Sequence, residues 1–256
     1  MNKFLYKGIL ALILLFTATP TFAAISLVQT NSGNGDNGTG GADYVNSYTV
    51  AAGANNVTAG NMLIACITAG SQDSPVISDN AGNTWGRIAS STNLTAGRKT
   101  DLWFAQNVAG ASTTLTVQFE PSKFADSAII IREYSGLLTS GALDKIASSS
   151  SSGTTHTTAT ATTTAQASEL LIGCGGSAGI ASPTFGAGAG YGNLIEKKGS
   201  DAFTYCAMED RIVSATGEYN ASFTTGTSAD AETIMATFRA VVTAVAAKAL
   251  WLFSDF

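Results

Sequence analysis

Met62-Leu63-Ile64-Ala65-Cys66, followed by Ser74-Pro75, returns 108 positions later as Leu170-Leu171-Ile172-Gly173-Cys174 with Ser182-Pro183. Gly82, Trp85, Gly86 and Ile88 return after 106 positions as Gly188, Tyr191, Gly192 and Leu194. Phe119, Ala125-Asp126, Ile130 and Tyr134 return after 104 positions as Phe223, Ala229-Asp230, Ile234 and Phe238. Two small deletions account for the drift, so one structural plan is used twice, over 62–136 and 170–240. Apolar residues, glycines and a proline recur, and almost no charged residue does. A scaffold repeats in this way; a catalytic site usually does not.

The repeated segments have the periodicity of short strands. Met62–Thr68, Thr100–Gln106, Thr113–Phe119 and Ala128–Tyr134 are rich in β-branched and aromatic residues and are bounded by Gly, Asn, Ser or Pro. Glu169–Cys174, Phe203–Met208, Gly217–Phe223 and Thr233–Phe238 answer them in the second half. No stretch of the body has a sustained helical apolar spacing between caps. Ser148 to Ser152 read as the loop joining the halves, and the Thr-rich run from Thr155 to Thr164 as a strand with one hydroxyl-covered face. Each half alone is marginal for independent stability. The expectation is therefore an all-β protein: a single jelly-roll-like β-sandwich of about 12 strands over residues 24–240, built from two similar halves.

The first residues point to export. Lys3 and Lys7 precede a short apolar run, Gly8 to Ala18, and Thr21-Phe22-Ala23 offers small residues for cleavage after Ala23. The run is short of the roughly 20 residues a membrane span needs, and no transmembrane span is expected in the mature chain. Losing Lys3 and Lys7 leaves 11 of the 13 Lys and Arg against 18 Asp and Glu, a net charge of −7. That balance excludes a nucleic-acid footprint, which needs clustered cations. Charged residues are 12% of the chain, with Ser, Thr, Asn and Gly in their place, as on the exposed strand faces of exported β-proteins.

Three cysteines, Cys66, Cys174 and Cys206, allow at most one disulfide and one free thiol; buried thiols in apolar strands are the alternative. No C-x-x-C or Cys/His spacing suggests zinc. The tail from Val241 to Phe256 is apolar, ending Leu250-Trp251-Leu252-Phe253, and suits a docking helix, a strand for a partner, self-association or a frayed end.

Ser78-Asp79-Asn80-Ala81-Gly82-Asn83-Thr84-Trp85 and Arg132-Glu133-Tyr134-Ser135-Gly136-Leu137, with Ala142-Leu143-Asp144, carry a family resemblance. So do the strand openings Ala59-Gly60-Asn61-Met62-Leu63 and Ser168-Glu169-Leu170-Leu171-Ile172. Together they resemble a β-sandwich module of secreted bacterial multidomain surface proteins, over nearly all of residues 26–240. The resemblance implies a fold and a cell-surface or secreted location, with periplasm as another compartment. It brings no established catalytic residues.

Chemistry-bearing residues are few. The one histidine, His156, lies in the Thr-rich run without a Gly-x-Ser-x-Gly elbow, which argues against a hydrolase triad. Asp101, Glu133, Glu209 and Asp210 are candidates for paired-carboxylate chemistry, but Arg132 and Arg211 beside them favour ion pairs. Asp36 and Asp43, with Asn34 and Asn37, crowd one Gly-rich loop; Asp73 and Asp79, with Asn80 and Asn83, crowd another. Such loops could hold calcium, and are also what tight turns require. Trp85 and Tyr191 occupy matching positions, either as platforms for sugar rings or as core wedges, and Trp103 and Tyr205 are equally ambiguous. The partner implied is a surface glycan or another surface protein.

Overall fold

The computed structural model describes residues 20–35, 47–70, 75–93, 97–119, 126–159, 162–178, 184–199 and 204–243. Among them the protein is all-β, without a helix, in several antiparallel sheets. The first half contains β1 (Thr21–Phe22), β2 (Ser26–Gly35), β3 (Ser47–Ala51), β4 (Met62–Ala69), β5 (Val76–Asp79), β6 (Gly86–Asn93), β7 (Arg98–Ala105), β8 (Thr114–Gln118) and β9 (Ser127–Ser135). The second contains β10 (Leu143–Thr157), β11 (Thr162–Thr163), β12 (Glu169–Ala178), β13 (Phe185–Gly186), β14 (Gly192–Lys198), β15 (Thr204–Val213), β16 (Glu218–Tyr219), β17 (Ser222–Arg239) and β18 (Val242–Thr243).

Each half builds one large sheet. The order is β2-β9-β4-β7-β6 in the first and β10-β17-β12-β15-β14 in the second, which is the same order when strands are matched by position in their halves. The register is shared as well. Cys66 stands between Leu102 and Ile130, as Cys174 stands between Met208 and Ile234.

The central strand β4 explains the continuous apolar run. It is buried along its whole length, because side chains alternate between two faces and both faces are covered. Met62, Ile64 and Cys66 face the second large sheet, where Leu170, Ile172, Cys174, Ile234 and Phe238 join them in the largest core. Leu63, Ala65 and Ile67 face the other way, against Leu115, Val117 and Phe119. That outer core is closed by a three-stranded sheet, β3-β8-β5. The second half has a thinner outer layer: β11 pairs β16, β13 pairs the start of β17, and Phe185, Tyr205, Ala207 and Phe223 pack there.

Eighteen strands are described, five of them only two residues long, which exceeds the twelve or so read from the sequence. Those without a counterpart among the segments read there are β1, β2, β3, β5, β6, β13, β14 and β18, with β10 read only at its Thr-rich end. Ser148 to Ser152 are not a loop: they lie within β10, with Ser148 opposite Ile234 and Ser152 opposite Asp230. Serine's weak strand preference is overridden by backbone pairing to β17. The Thr-rich run is split, with β10 ending at Thr157 and β11 taking Thr162–Thr163. β18 pairs with β1, Thr21 opposite Thr243 and Phe22 opposite Val242, so the stretch before the expected cleavage position lies beside the start of the tail. No helix among the described residues is long and apolar enough to cross a membrane.

Candidate functional site

The alternation of strand faces separates Asp210 from the other three candidate acids. Glu133 and Glu209 are each buried on the outer side of their own large sheet, whereas Asp210 lies between the two large sheets. Asp101 pairs at 3.8 Å with the half-exposed Arg87. Glu133 holds a loop in place. Its Oε1 accepts from the Thr58 backbone N–H at 2.9 Å and from Asn61 Nδ2 at 2.5 Å, and its Oε2 accepts from Gln29 Nε2 at 2.5 Å.

Asp210 belongs to a buried polar cluster that joins the halves. Arg132 Nη1 lies 3.5 Å from Asp210 Oδ2, the Tyr134 hydroxyl donates to the same oxygen at 2.6 Å, and Asn193 Nδ2 donates to Oδ1 at 2.9 Å. The guanidinium also donates to the carbonyls of Asn193 and Met208. Burial pushes the Tyr134 hydroxyl well above its ordinary range, with Arg132 pulling against it and Asp210 adding to it. Both oxygens of the buried Asp210 carboxylate are engaged, which suits a structural lock better than a reacting acid.

Glu209 is different. By register it takes the place of Trp103: Trp103 stands opposite Ala65 in the first half, and Glu209 opposite Gly173 in the second. Gly173 and Gly188 make room for the carboxyl, since a Cβ on either would come within 2.8 or 3.2 Å of Oε1. Oε2 accepts from the Gly188 N–H at 2.8 Å, while Oε1 is buried without a hydrogen-bond partner among the described residues. Burial pushes Glu209 up to about 7; the N–H groups of Gly188 and Ser222 and the Arg132 charge pull it back, and Asp210 adds a small rise. Near neutral pH it can hold a proton. No sequence signal named it beyond its acidity, although the glycines at 173 and 188 mark the space it needs.

His156 is fully buried, with Nδ1 3.0 Å from Ser151 Oγ and Nε2 3.2 Å from Thr225 Oγ1. Burial pushes its pKa down. The serine–histidine contact went unseen in the sequence, yet the third group is a hydroxyl rather than a carboxylate, and it cannot stabilise an imidazolium as a triad requires. The contact clamps β10 to β17 where their register shifts beside Gly153.

The aromatic candidates do not form one strip. Trp85 is partly buried against the first outer core and Trp103 is buried within it. Tyr205 is buried in the second outer core. Tyr191, partly buried, donates from its hydroxyl to the Asn220 carbonyl at 3.1 Å.

Of the calcium candidates, Asp36, Asp43 and Asp73 lie outside the described residues. Asp79 spends its oxygens on a turn. Oδ1 accepts from the N–H groups of Ala81 and Asn83, and Oδ2 accepts from Asn83 Nδ2 and from the Trp85 indole at 2.8 Å. Asn80 and Asn83 then tie this turn to the chain between Ala109 and Thr114.

Cys66 and Cys174 form a disulfide, joining matching positions of the two halves across the main core, and Cys206 is free and buried. No family model, no curated protein and no solved structure matches the chain.

Proposed function

We propose that the chain is an exported, non-enzymatic module that binds or builds at the cell surface, with a surface glycan or another surface protein as its partner. The Cys66–Cys174 disulfide carries this reading. Such bonds persist in oxidising compartments, and this one ties together the residues that the repeat holds in common. Conserved plan, covalent staple and low charge all serve a durable body rather than a reaction. We read the two large sheets as the faces of one jelly-roll-like sandwich, with the outer layers as its cladding, in keeping with the resemblance to modules of secreted bacterial surface proteins. Glycan-array screening of the chain from Ala24 tests the binding arm. Signal on a defined glycan class supports it, and none, together with capture of no surface protein, removes it.

A polysaccharide-acting enzyme is the second reading, favoured by one observation. Glu209, held near 7 by burial, has the protonation behaviour of a general acid. Glycosidase chemistry wants a second carboxylate about 5–9.5 Å away, and the neighbouring Asp210 is engaged with Arg132 and Tyr134. Release of reducing sugar from polysaccharides, lost in Glu209→Gln, would make this the better account.

A further inference from the structure

The third cysteine is not part of the repeated plan. By register Cys206 occupies the place of Thr100: Thr68 stands opposite Thr100 in one sheet, and Gly176 opposite Cys206 in the other. These two pairs face each other across the main core. A Cβ on Gly176 would lie 1.8 Å from Thr100 Oγ1 and 2.5 Å from Thr68 Oγ1, so only glycine leaves room for the threonines. Cys206 is thereby brought against β4, where its sulfur lies 3.3 Å from Cys66 Sγ and 3.3 Å from the Cys66 carbonyl. A free thiol thus touches one sulfur of the disulfide.

We propose that Cys66 has two alternative partners, and that Cys206 is an internal resolving thiol which converts the Cys66–Cys174 disulfide into Cys66–Cys206. Cys206 gives up its proton and its sulfur attacks Cys66 Sγ. The Cys66–Cys206 bond forms as the Cys66–Cys174 bond breaks, and Cys174 leaves as a thiolate that takes up a proton. One disulfide and one thiol stand on each side, so no oxidant or reductant is consumed. The exchange moves the covalent tie from between the two central strands, β4 and β12, to between β4 and β15.

The surroundings supply a route for the proton. Thr68 stabilises the thiolate by hydrogen bonding, its hydroxyl lies 3.1 Å from that of Thr100, and Thr100 donates to Glu232 Oε2 at 3.2 Å. Burial opposes ionisation and pushes the thiol up to about 12, so the exchange in the folded protein is slow. The partner choice is therefore made mainly while the chain folds and oxidises.

Cys174→Ser tests the idea directly. The expected result is a Cys66–Cys206 bond in the oxidised protein, seen by non-reducing peptide mapping, with no thiol titratable after denaturation. A folded Cys174→Ser protein holding both remaining cysteines as thiols overturns the proposal. Should that variant not fold, the wild-type chain, refolded in a glutathione buffer and alkylated in denaturant, gives the answer. Alkylated Cys174 alongside alkylated Cys206 supports two isomers, and alkylation of Cys206 alone overturns them. Thr68→Val should lower the alkylated Cys174 fraction reached in a fixed time without changing which bonds form.

Discussion

Tyr134 and Asp210 meet across the two large sheets, hydroxyl to carboxylate at 2.6 Å, where the matching residues of the opposite halves are Phe238 and Phe104. Those two rings touch with centroids 5.8 Å apart. One interface position is thus filled twice, once by a polar lock and once by an aromatic pair. The repeat conserves the geometry of the joint and lets the chemistry diverge.

The polar version should be fragile to single changes. Asp210→Ala leaves Arg132 buried without its counter-charge, at a cost of about 3–5 kcal/mol in denaturant unfolding. Replacing the set together, Arg132→Ala with Tyr134→Phe and Asp210→Phe, imitates the opposite position and should recover most of that loss. A triple variant no better than the single one would mean that the two positions are not equivalent.

Glu209 should make stability fall with rising pH. Its folded pKa, about 7, lies above its ordinary 4.5, so between these values the folded state binds more protons than the unfolded. Its contribution is fully present below about 4.5, is lost as pH rises to about 7, and stays lost above. The span corresponds to roughly 3 kcal/mol. Glu209→Gln should remove this slope and melt higher than the parent at pH 8. Subtracting the variant's curve isolates Glu209 from His156, whose lowered pKa acts in the opposite sense, weakening the fold as pH falls through the histidine range.

Gly175 and Phe223 should behave as a coupled pair. A Cβ at Gly175 would sit 2.9 Å from the Phe223 ring, closer than packed carbons tolerate. Gly175→Ala is expected to cost about 1–3 kcal/mol by overpacking, and Phe223→Ala about 3–5 kcal/mol by leaving a cavity. The double variant should lose less than the sum of the two. Additive losses in thermal melts would mean that the ring does not rest on the glycine.

The ends carry a prediction about maturation. Ala23 N–H donates to the Val241 carbonyl at 2.8 Å, next to the two residue pairs of β1 and β18. Cleavage after Ala23 removes all of these contacts. A chain running from Ala24 to Ala240 should then melt within a few degrees of one running from Ala24 to Phe256, while losing any self-association that the longer chain shows in sedimentation. A large drop in midpoint would place the tail in the fold.

How much of this was legible depended on whether a feature repeats. β4 and β12 could be read because apolar residues on two buried faces leave an unbroken hydrophobic run. The pairing of Cys66 with Cys174 was only one of several options in the sequence, since nothing in it says which two strands face each other across the core. β10 was hidden because Ser148 to Ser152 lack side chains that favour strands, and its formation rests on backbone bonds to β17. Glu209 was named only for its acidity, and its glycine-lined setting, Asn193 and the Thr68–Thr100–Glu232 chain were not legible. None of them is repeated between the halves, and each acquires its surroundings from residues distant in sequence.

Differential scanning calorimetry of the oxidised chain from Ala24 tests the central claim most directly, namely that the two halves share one core. A common core predicts a single transition whose calorimetric and van't Hoff enthalpies agree. Phe223→Ala and Phe119→Ala, in opposite outer layers, should each move that one transition as a whole. Two resolved transitions, each shifted by only one of the variants, would contradict the account and leave two small domains joined by a disulfide.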